Sequence, residues 1–368
     1  MTVTTRQWIH ARAPVHNTLT PECFALREIA LPALQAEEAL VRVKLLNVHA
    51  NTRMRMVTNN IPVGGTGEGN YACAEVVESL APSLPVGSLI ACQTGWQEYQ
   101  IISAAAGAIG HGHASELVKD LNGTRSPWTY VFRPSLVRMW SPEVLMEMLG
   151  TSGMTAYFGV RECGPLMPRD QVAVAAVSGS VGSILAQLAK AAGSYVVGFA
   201  GGRERCQWVV ETLGIDRCLD YRAPDFLTQL EESFPTGIDF YSDGVGGSLT
   251  EQVVQKINVN GRLFSYGAAG AFYADELAAP PQPLNMRRFF GISPEVEGIL
   301  RRRNIKTELW MVDSFYHERL RAEEELSRLL TAGKVKPVHH GVHGFEKLPE
   351  AIIGLYNNPR AGKLQVSF

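Results

Sequence analysis

Charge is scarce and nearly balanced: Asp, Glu, Lys and Arg make up 19% of the residues, and the formal net charge is −2. Such a surface gives no electrostatic reason to bind nucleic acid or an anionic membrane. No apolar run approaches the roughly 20 residues that cross a bilayer. The opening stretch MTVTTRQWIHARAP lacks the apolar centre of a secretory leader, and a cytoplasmic protein is expected. Cysteine is sparse as well. Cys23, Cys73, Cys92, Cys163, Cys206 and Cys218 are scattered, and no two form a C-x-x-C pair. That spacing argues against a disulfide framework and against a four-cysteine zinc site. His111-Gly112-His113 and His339-His340-Gly341-Val342-His343 bring no third-ligand pattern with them, so no metal is expected.

Apolar residues, by contrast, are plentiful. They make up 46% of 368 residues, enough for sizeable cores and more consistent with two domains than one. Up to about residue 103 the chain reads as short strands punctuated by Gly and Pro. Residues 39–48 alternate, with Val41, Val43 and Leu45 on one face and Arg42 and Lys44 on the other. Residues 104–142 carry no assignable pattern. From Pro142 the pattern changes: Ser141 caps a helix that opens on Pro142. Apolar strands then alternate with helices. Strands are predicted at 171–177, 195–199, 218–220, 238–242 and 261–266, with helices at 181–192, 204–213, 224–233 and 249–257. That alternation implies a doubly wound parallel sheet. A charged amphipathic helix is predicted at 317–331, and short strand-like pieces end the chain.

The strongest local signal is AVAAVSGSVGSILAQLAKAAG, residues 173–193. A buried strand runs into Ser178-Gly179-Ser180-Val181-Gly182, and a helix begins there. Glycine lets the backbone approach a pyrophosphate, and the free N–H groups of the helix start face its negative charge. Gly182 would let helix and strand pack closely. An NAD site needs a carboxylate at the end of the next strand for the ribose 2′-OH. Here that strand ends in Gly201-Gly202-Arg203-Glu204-Arg205. Two arginines suit a 2′-phosphate, which a guanidinium can grip bidentately; Glu204 is the counter-indication, as a displaced ribose ligand. The expected cofactor is therefore NADPH.

On these residues the chain resembles the zinc-independent medium-chain dehydrogenase/reductases, in the leukotriene B4 dehydrogenase, prostaglandin reductase and curcumin reductase branch. The resemblance is carried by Gly95-Trp96-Gln97-Glu98-Tyr99, Gly153-Met154-Thr155-Ala156-Tyr157-Phe158-Gly159, Val177 to Ser183, Leu213-Gly214-Ile215-Asp216 with Asp220-Tyr221, Gly244-Val245-Gly246-Gly247, Gly261-Arg262, Gly333-Lys334-Val335 and Gly362-Lys363. It implies an α/β fold: a Rossmann doubly wound parallel sheet (144–313) inserted in a GroES-like β-barrel domain (1–143 and 314–368). It also implies reduction of the C=C bond of α,β-unsaturated ketones or aldehydes with NADPH. By position, Arg205 matches the group's basic 2′-phosphate ligand, Tyr221 its tyrosine near the same phosphate, and Thr155 a cofactor-contacting turn. Gly202, Asp243 and Gly267 complete the expected cofactor set with Arg360, which stands where the group has an asparagine.

Two departures bear on the substrate. The group's V-D-P-Y-M-R segment is here Val48-His49-Ala50-Asn51-Thr52-Arg53, and residues 111–139 look inserted. The group's zinc-dependent cousins need a Cys near residue 50 and a Gly-His-Glu segment; here stand Asn51 and Gly67-Glu68-Gly69. Negative charge grows on the carbonyl oxygen when hydride adds to an enone, and a hydrogen-bond donor there lowers the barrier. Tyr273 is the expected catalytic donor, since the resemblance implies a tyrosine in the loop after the strand at 261–266; the spacing is one residue longer here, and Phe272 competes for the place. Alternatives are an NADPH-dependent quinone reductase and an NADPH-binding protein without turnover. A homodimer is expected, with the strand at 261–266 near the edge of the parallel sheet.

Overall fold

The computed structural model describes residues 3–16, 18–57, 61–66, 70–104, 108–110, 129–270, 287, 290–355 and 362–368. Its first strands, β1 (Thr4–His10) and β2 (Phe24–Ala30), form an antiparallel ribbon. Then come β3 (Glu38–Asn47), β4 (Asn70–Ser79), β5 (Leu89–Thr94), β6 (Tyr99–Ser103), β7 (Ala108–Gly110) and β8 (Thr129–Val131). The alternation read in β3 is real. Val41, Val43 and Leu45 are buried, while Arg42 and Lys44 both reach Glu75 on β4, at 2.7 and 3.0 Å.

The next strands are β9 (Gln171–Ala175), β10 (Tyr195–Ala200), β11 (Arg217–Asp220), β12 (Ile238–Asp243), β13 (Ile257–Ser265) and β14 (Lys306–Leu309). They form one parallel sheet in the order β11-β10-β9-β12-β13-β14. Each strand feeds both faces. Val172 and Val174 pack with Phe158, Ile184 and Leu185 from helices on one side. Ala173 and Ala175 pack with Phe226, Leu249 and Val253 from helices on the other. This two-sided burial is why the sequence shows continuous apolar runs there. The strand order turns at β9 and β12, and ligands bind in such sheets at that switch point.

The last strands, β15 (His339–His343) and β16 (Lys363–Ser367), return to the first sheet. Its order is β15-β16-β3-β4-β5-β8-β7, with β6 also paired to β3.

Four expectations need correction. The helix predicted at 249–257 spans Gly247–Val253 and tightens into a 3-10 turn at Val254–Lys256. β13 consequently starts at Ile257, four residues before the predicted strand, and Asn260 takes a left-handed φ of 63° within it. β14 was not expected and takes the sheet edge, leaving β13 one strand inside. The helix predicted from 317 begins at Arg319, after a 3-10 stretch at Val312–Glu318. Of the segment left unassigned, β8 and a Pro134–Met139 helix are now placed.

Candidate active site

The glycine turn sits between β9 and the Ser180–Ala191 helix. Ala176, at the strand's end, takes a left-handed φ of 49°, an uncommon conformation for a residue with a side chain. It starts the turn, and Gly179 N–H donates to its carbonyl at 2.8 Å. A Cβ on Gly182 would press into that same carbonyl and lie 2.9 Å from Val177 Cα. Glycine at 182 is thus a packing requirement between helix and strand, as its spacing suggested. Gly159 has the same explanation: its missing side chain is replaced by the Phe264 ring.

Around this turn lies a cleft of about 1860 Å³, lined from both sheets. That exceeds the roughly 300–1,000 Å³ of a pocket for one small ligand, so a dinucleotide and a substrate can share it. Thr155, Ser178, Gly179, Ser180, Val181, Gly182, Arg205, Tyr221 and Gly267 all line it.

One end of the cleft is cationic. Arg205 is half-buried and lines it, whereas Arg203 and Glu204 are exposed and do not. Glu204 is therefore not placed as a ribose ligand. A second guanidinium, Arg222, lies over the Tyr221 ring at 5.4 Å and beside Gly201. Asp220 sets this corner: its Oδ1 accepts from Gly202 N at 2.9 Å and Arg222 N at 3.0 Å. Gly202 itself caps the Arg203–Leu213 helix at φ 96° and does not line the cleft. Sequence reasoning missed Arg222, whose only signal was its place next to Tyr221.

Asp243 is placed differently from expectation. It is fully buried and does not line the cleft. Its Oδ1 accepts from Val245 N at 2.8 Å and Gly246 N at 3.0 Å, and its Oδ2 from Thr250 Oγ1 at 2.5 Å. With both oxygens engaged, it shapes the Gly244–Gly247 turn that borders the cleft and offers no free oxygen to a cofactor. Burial raises its carboxyl above the ordinary range, and these donors pull it back down. Tyr273 and Arg360 lie outside the described residues, as does most of the 111–139 stretch.

The other end of the cleft holds His49, Tyr71, Trp310 and Lys363. Tyr71 Oη is 3.1 Å from Tyr316 Oη, and burial pushes its phenol well above the ordinary value. Lys363 Nζ lies 3.2 Å from His49 Nδ1. The backbone just before it is pinned to the glycine turn, since Gly362 N–H donates to Ser178 O at 2.8 Å. The two sheets meet at that bond.

Comparison with known proteins agrees with this architecture. Residues 6–109 match the family described as N-terminal domain of oxidoreductase, and residues 180–313 the one described as zinc-binding dehydrogenase. The chain is 30% identical to the NADP(+)-dependent 2-alkenal reductase of Nicotiana tabacum over 295 residues, 80% of this chain and 75% of that one. The chain belongs to the zinc-independent medium-chain dehydrogenase/reductases. It is also 29% identical to the NADPH-dependent curcumin reductase of Escherichia coli, across 98% of this chain and 96% of that one. The crystal structure of CurA from Vibrio vulnificus in complex with NADPH superposes with a TM-score of 0.79 at 28% identity, covering 98% of each chain. Among the described residues, no group of three or more His, Cys, Asp or Glu is placed to hold a metal.

Proposed function

We infer that this member of the family is an NADPH-dependent oxidoreductase that reduces the C=C bond of α,β-unsaturated ketones or aldehydes without a metal. The observation that carries the reading is the two-ended cleft. Arg205 and Arg222 offer two guanidinium groups to a 2′-phosphate at one end, and His49, Tyr71 and Lys363 surround a substrate space at the other. The tobacco and Escherichia coli relatives, named for NADP-dependent reduction of 2-alkenals and curcumin, support the same reading.

NADPH, when bound, supplies the hydride. The chain's own residues position it and manage charge. The Ser178–Gly182 turn and its helix start would hold the pyrophosphate, and Arg205, Tyr221 and Arg222 the 2′-phosphate. Steady-state oxidation of NADPH with a panel of enones, enals and quinones tests the reading. Turnover should be highest with enones and enals, and should survive dialysis against a strong chelator. Turnover on quinones alone, or activity lost to the chelator and restored by zinc, would sink it.

Tyr273 keeps the role of donor to the developing enolate oxygen. Tyr273→Phe should lower kcat on an enone by about 10- to 1,000-fold, the cost of one oxyanion donor, with NADPH affinity unchanged. An unchanged kcat would remove the residue from the reaction. The protein is further expected to be a cytoplasmic homodimer that pairs along the β14 edge, because an edge strand leaves N–H and C=O groups to be matched. Light scattering at micromolar concentration should give twice the chain mass; a monomer mass would exclude the pairing.

A further inference from the structure

The segment after β3 differs from the family pattern at several positions, and His49, Ala50 and Thr52 among them line the cleft. His49 stands where the related group has an aspartate, and its ring lies against Lys363. We propose that His49 and Lys363, which both line the cleft, form a proton carrier that protonates the α-carbon of the reduced substrate, His49 as its donor and Lys363 as the source that resupplies it. The proposal rests on the enone-reductase reading above.

Lys363 is the first residue of β16 and is only 2% exposed. Long lysine stems normally carry the amine out to water. This one ends 3.2 Å from His49 Nδ1, 3.5 Å from Nε2 and 3.5 Å from the Val48 carbonyl. The carboxylate that acts on it electrostatically is Glu147, fully buried on the Pro142–Met148 helix. Glu147 is already engaged: Oε1 accepts from Val338 N at 2.6 Å, and Oε2 lies 2.9 Å from His339 Nδ1. Among the described residues no carboxylate pairs with the buried amine. Burial brings its pKa down to about 7, against a small opposing pull from Glu147. Burial, and then the charge of Lys363, push His49 well below the ordinary imidazole value. Tyr71, edge-on to His49 at 6.1 Å, is held neutral by its own burial. Below about pH 7 the pair's extra proton thus rests mainly on Lys363, beside an imidazole held neutral, and both side chains border the cleft.

The Glu147 carboxylate that acts on Lys363 is bonded on its other oxygen to a partly exposed imidazole. His339 is the register partner of Lys363 across β15 and β16. Its side chain is 29% exposed, and the bond to Glu147 raises its pKa, helped by Glu143. It can take protons from water next to the buried carboxylate.

The step balances. Hydride addition at the β-carbon leaves an enolate with an electron pair available at the α-carbon. A C–H bond forms there as an imidazole N–H bond of His49 breaks. The other imidazole nitrogen takes a proton from the Lys363 ammonium, which is left as a neutral amine. Solvent restores one proton per turnover. An aspartate at position 49 would instead hold Lys363 permanently charged, because an adjacent carboxylate favours the ammonium form.

The test uses the full-length protein with NADPH and an enone bearing a 2-methyl group, in D2O. The native protein should place deuterium at the α-carbon with a single configuration. Its kcat should fall as pH rises through about 7 to 8, because a donor must carry its proton and loses it above its pKa. Lys363→Met and His49→Ala should lower kcat by about 100-fold or more, the ordinary worth of a general acid, and give mixed configuration at the α-carbon. His49→Asp should move the fall in kcat to higher pH.

A second readout needs no turnover. A lysine whose folded pKa lies below its unfolded value binds fewer protons when folded, so its burial costs least at high pH. The Tm of the native protein, free of NADPH, should therefore rise relative to Lys363→Met between about pH 7 and 10. If both variants keep full turnover and a single configuration, the proton carrier is wrong while the reductase reading stands. If the native protein reduces no enone at all, the reading and the carrier fail together.

Discussion

Arg205→Ala should weaken NADPH binding by about 1.5–3 kcal/mol, roughly ten- to a hundredfold, the worth of hydrogen bonds to a charged partner. NADH binding should barely change. The geometry adds a second expectation. Arg222 lies over Tyr221 and beside Gly201, so Arg222→Ala should produce a loss of the same kind. The double variant should lose most of the preference for NADPH over NADH. The two losses need not add, because both side chains would grip one phosphate. Kd values for both coenzymes, from nucleotide fluorescence titration, decide the matter. Equal weakening of NADPH and NADH would place neither arginine at the 2′-phosphate. Asp220→Asn offers a finer probe, since one oxygen of Asp220 orients both Gly202 and Arg222. Its amide can present either an oxygen or an NH2 group there, and a mild loss confined to NADPH is expected.

Gly182→Val should have a larger effect on the molecule as a whole. Its Cβ has no room: the Ala176 carbonyl and Val177 Cα are backbone atoms and cannot rotate away. Accommodation would require the Ser180–Ala191 helix to back off from β9. Overpacking of this kind costs about 1–3 kcal/mol of stability. It would also displace the N–H groups that face the pyrophosphate, so NADPH and NADH binding should be lost together. Gly354→Ala is the control: nothing lies within 4 Å of the added carbon, at the end of the Leu348–Gly354 helix. It should leave binding intact and stability unchanged or slightly raised. Normal NADPH affinity in Gly182→Val would mean that the turn does not hold the coenzyme.

These two predictions differ in how early they could have been made. The strand, glycine turn and helix at 171–191 were legible because every local signal agreed there: an apolar run, small residues at fixed spacing, then a helical apolar face. Arg205 was legible from its place at a helix start, where a cation opposes the helix dipole. β14 was not, because Lys306-Thr307-Glu308-Leu309 is short and carries two charges. Its identity as a strand comes from pairing with β13, a tertiary fact. The stretch from 254 to 260 read as the end of a helix and the start of a loop. Its first three residues became a 3-10 turn, and from Ile257 it became strand because Ile257 and Leu263 bury their side chains in the sheet core.

The site shows the same division. Asp243 belonged to the expected cofactor set, and only the structure shows both of its oxygens already bonded. His49 and Lys363 are 314 residues apart in sequence, so no local pattern could join them. The substitution of His49 for the group's aspartate was visible, but its chemistry was not until the buried amine appeared beside it.

The place of β16 has a consequence for how the molecule comes into being. Residues 363–367 occupy an interior position in the first sheet, between β15 and β3, with Gln365 opposite Asn47. Chains generally fold their earlier parts first as they leave the ribosome. Here β6 pairs the Glu38–Arg42 half of that side of β3 early, but the Leu45–Asn47 end must wait unpaired until β16 has been made. The parallel sheet, contiguous from β9 to β14, can close long before. Order of synthesis and order of completion are therefore reversed. That short end of β3 is a place where the nascent chain needs shielding, since an unpaired strand edge is a template for association.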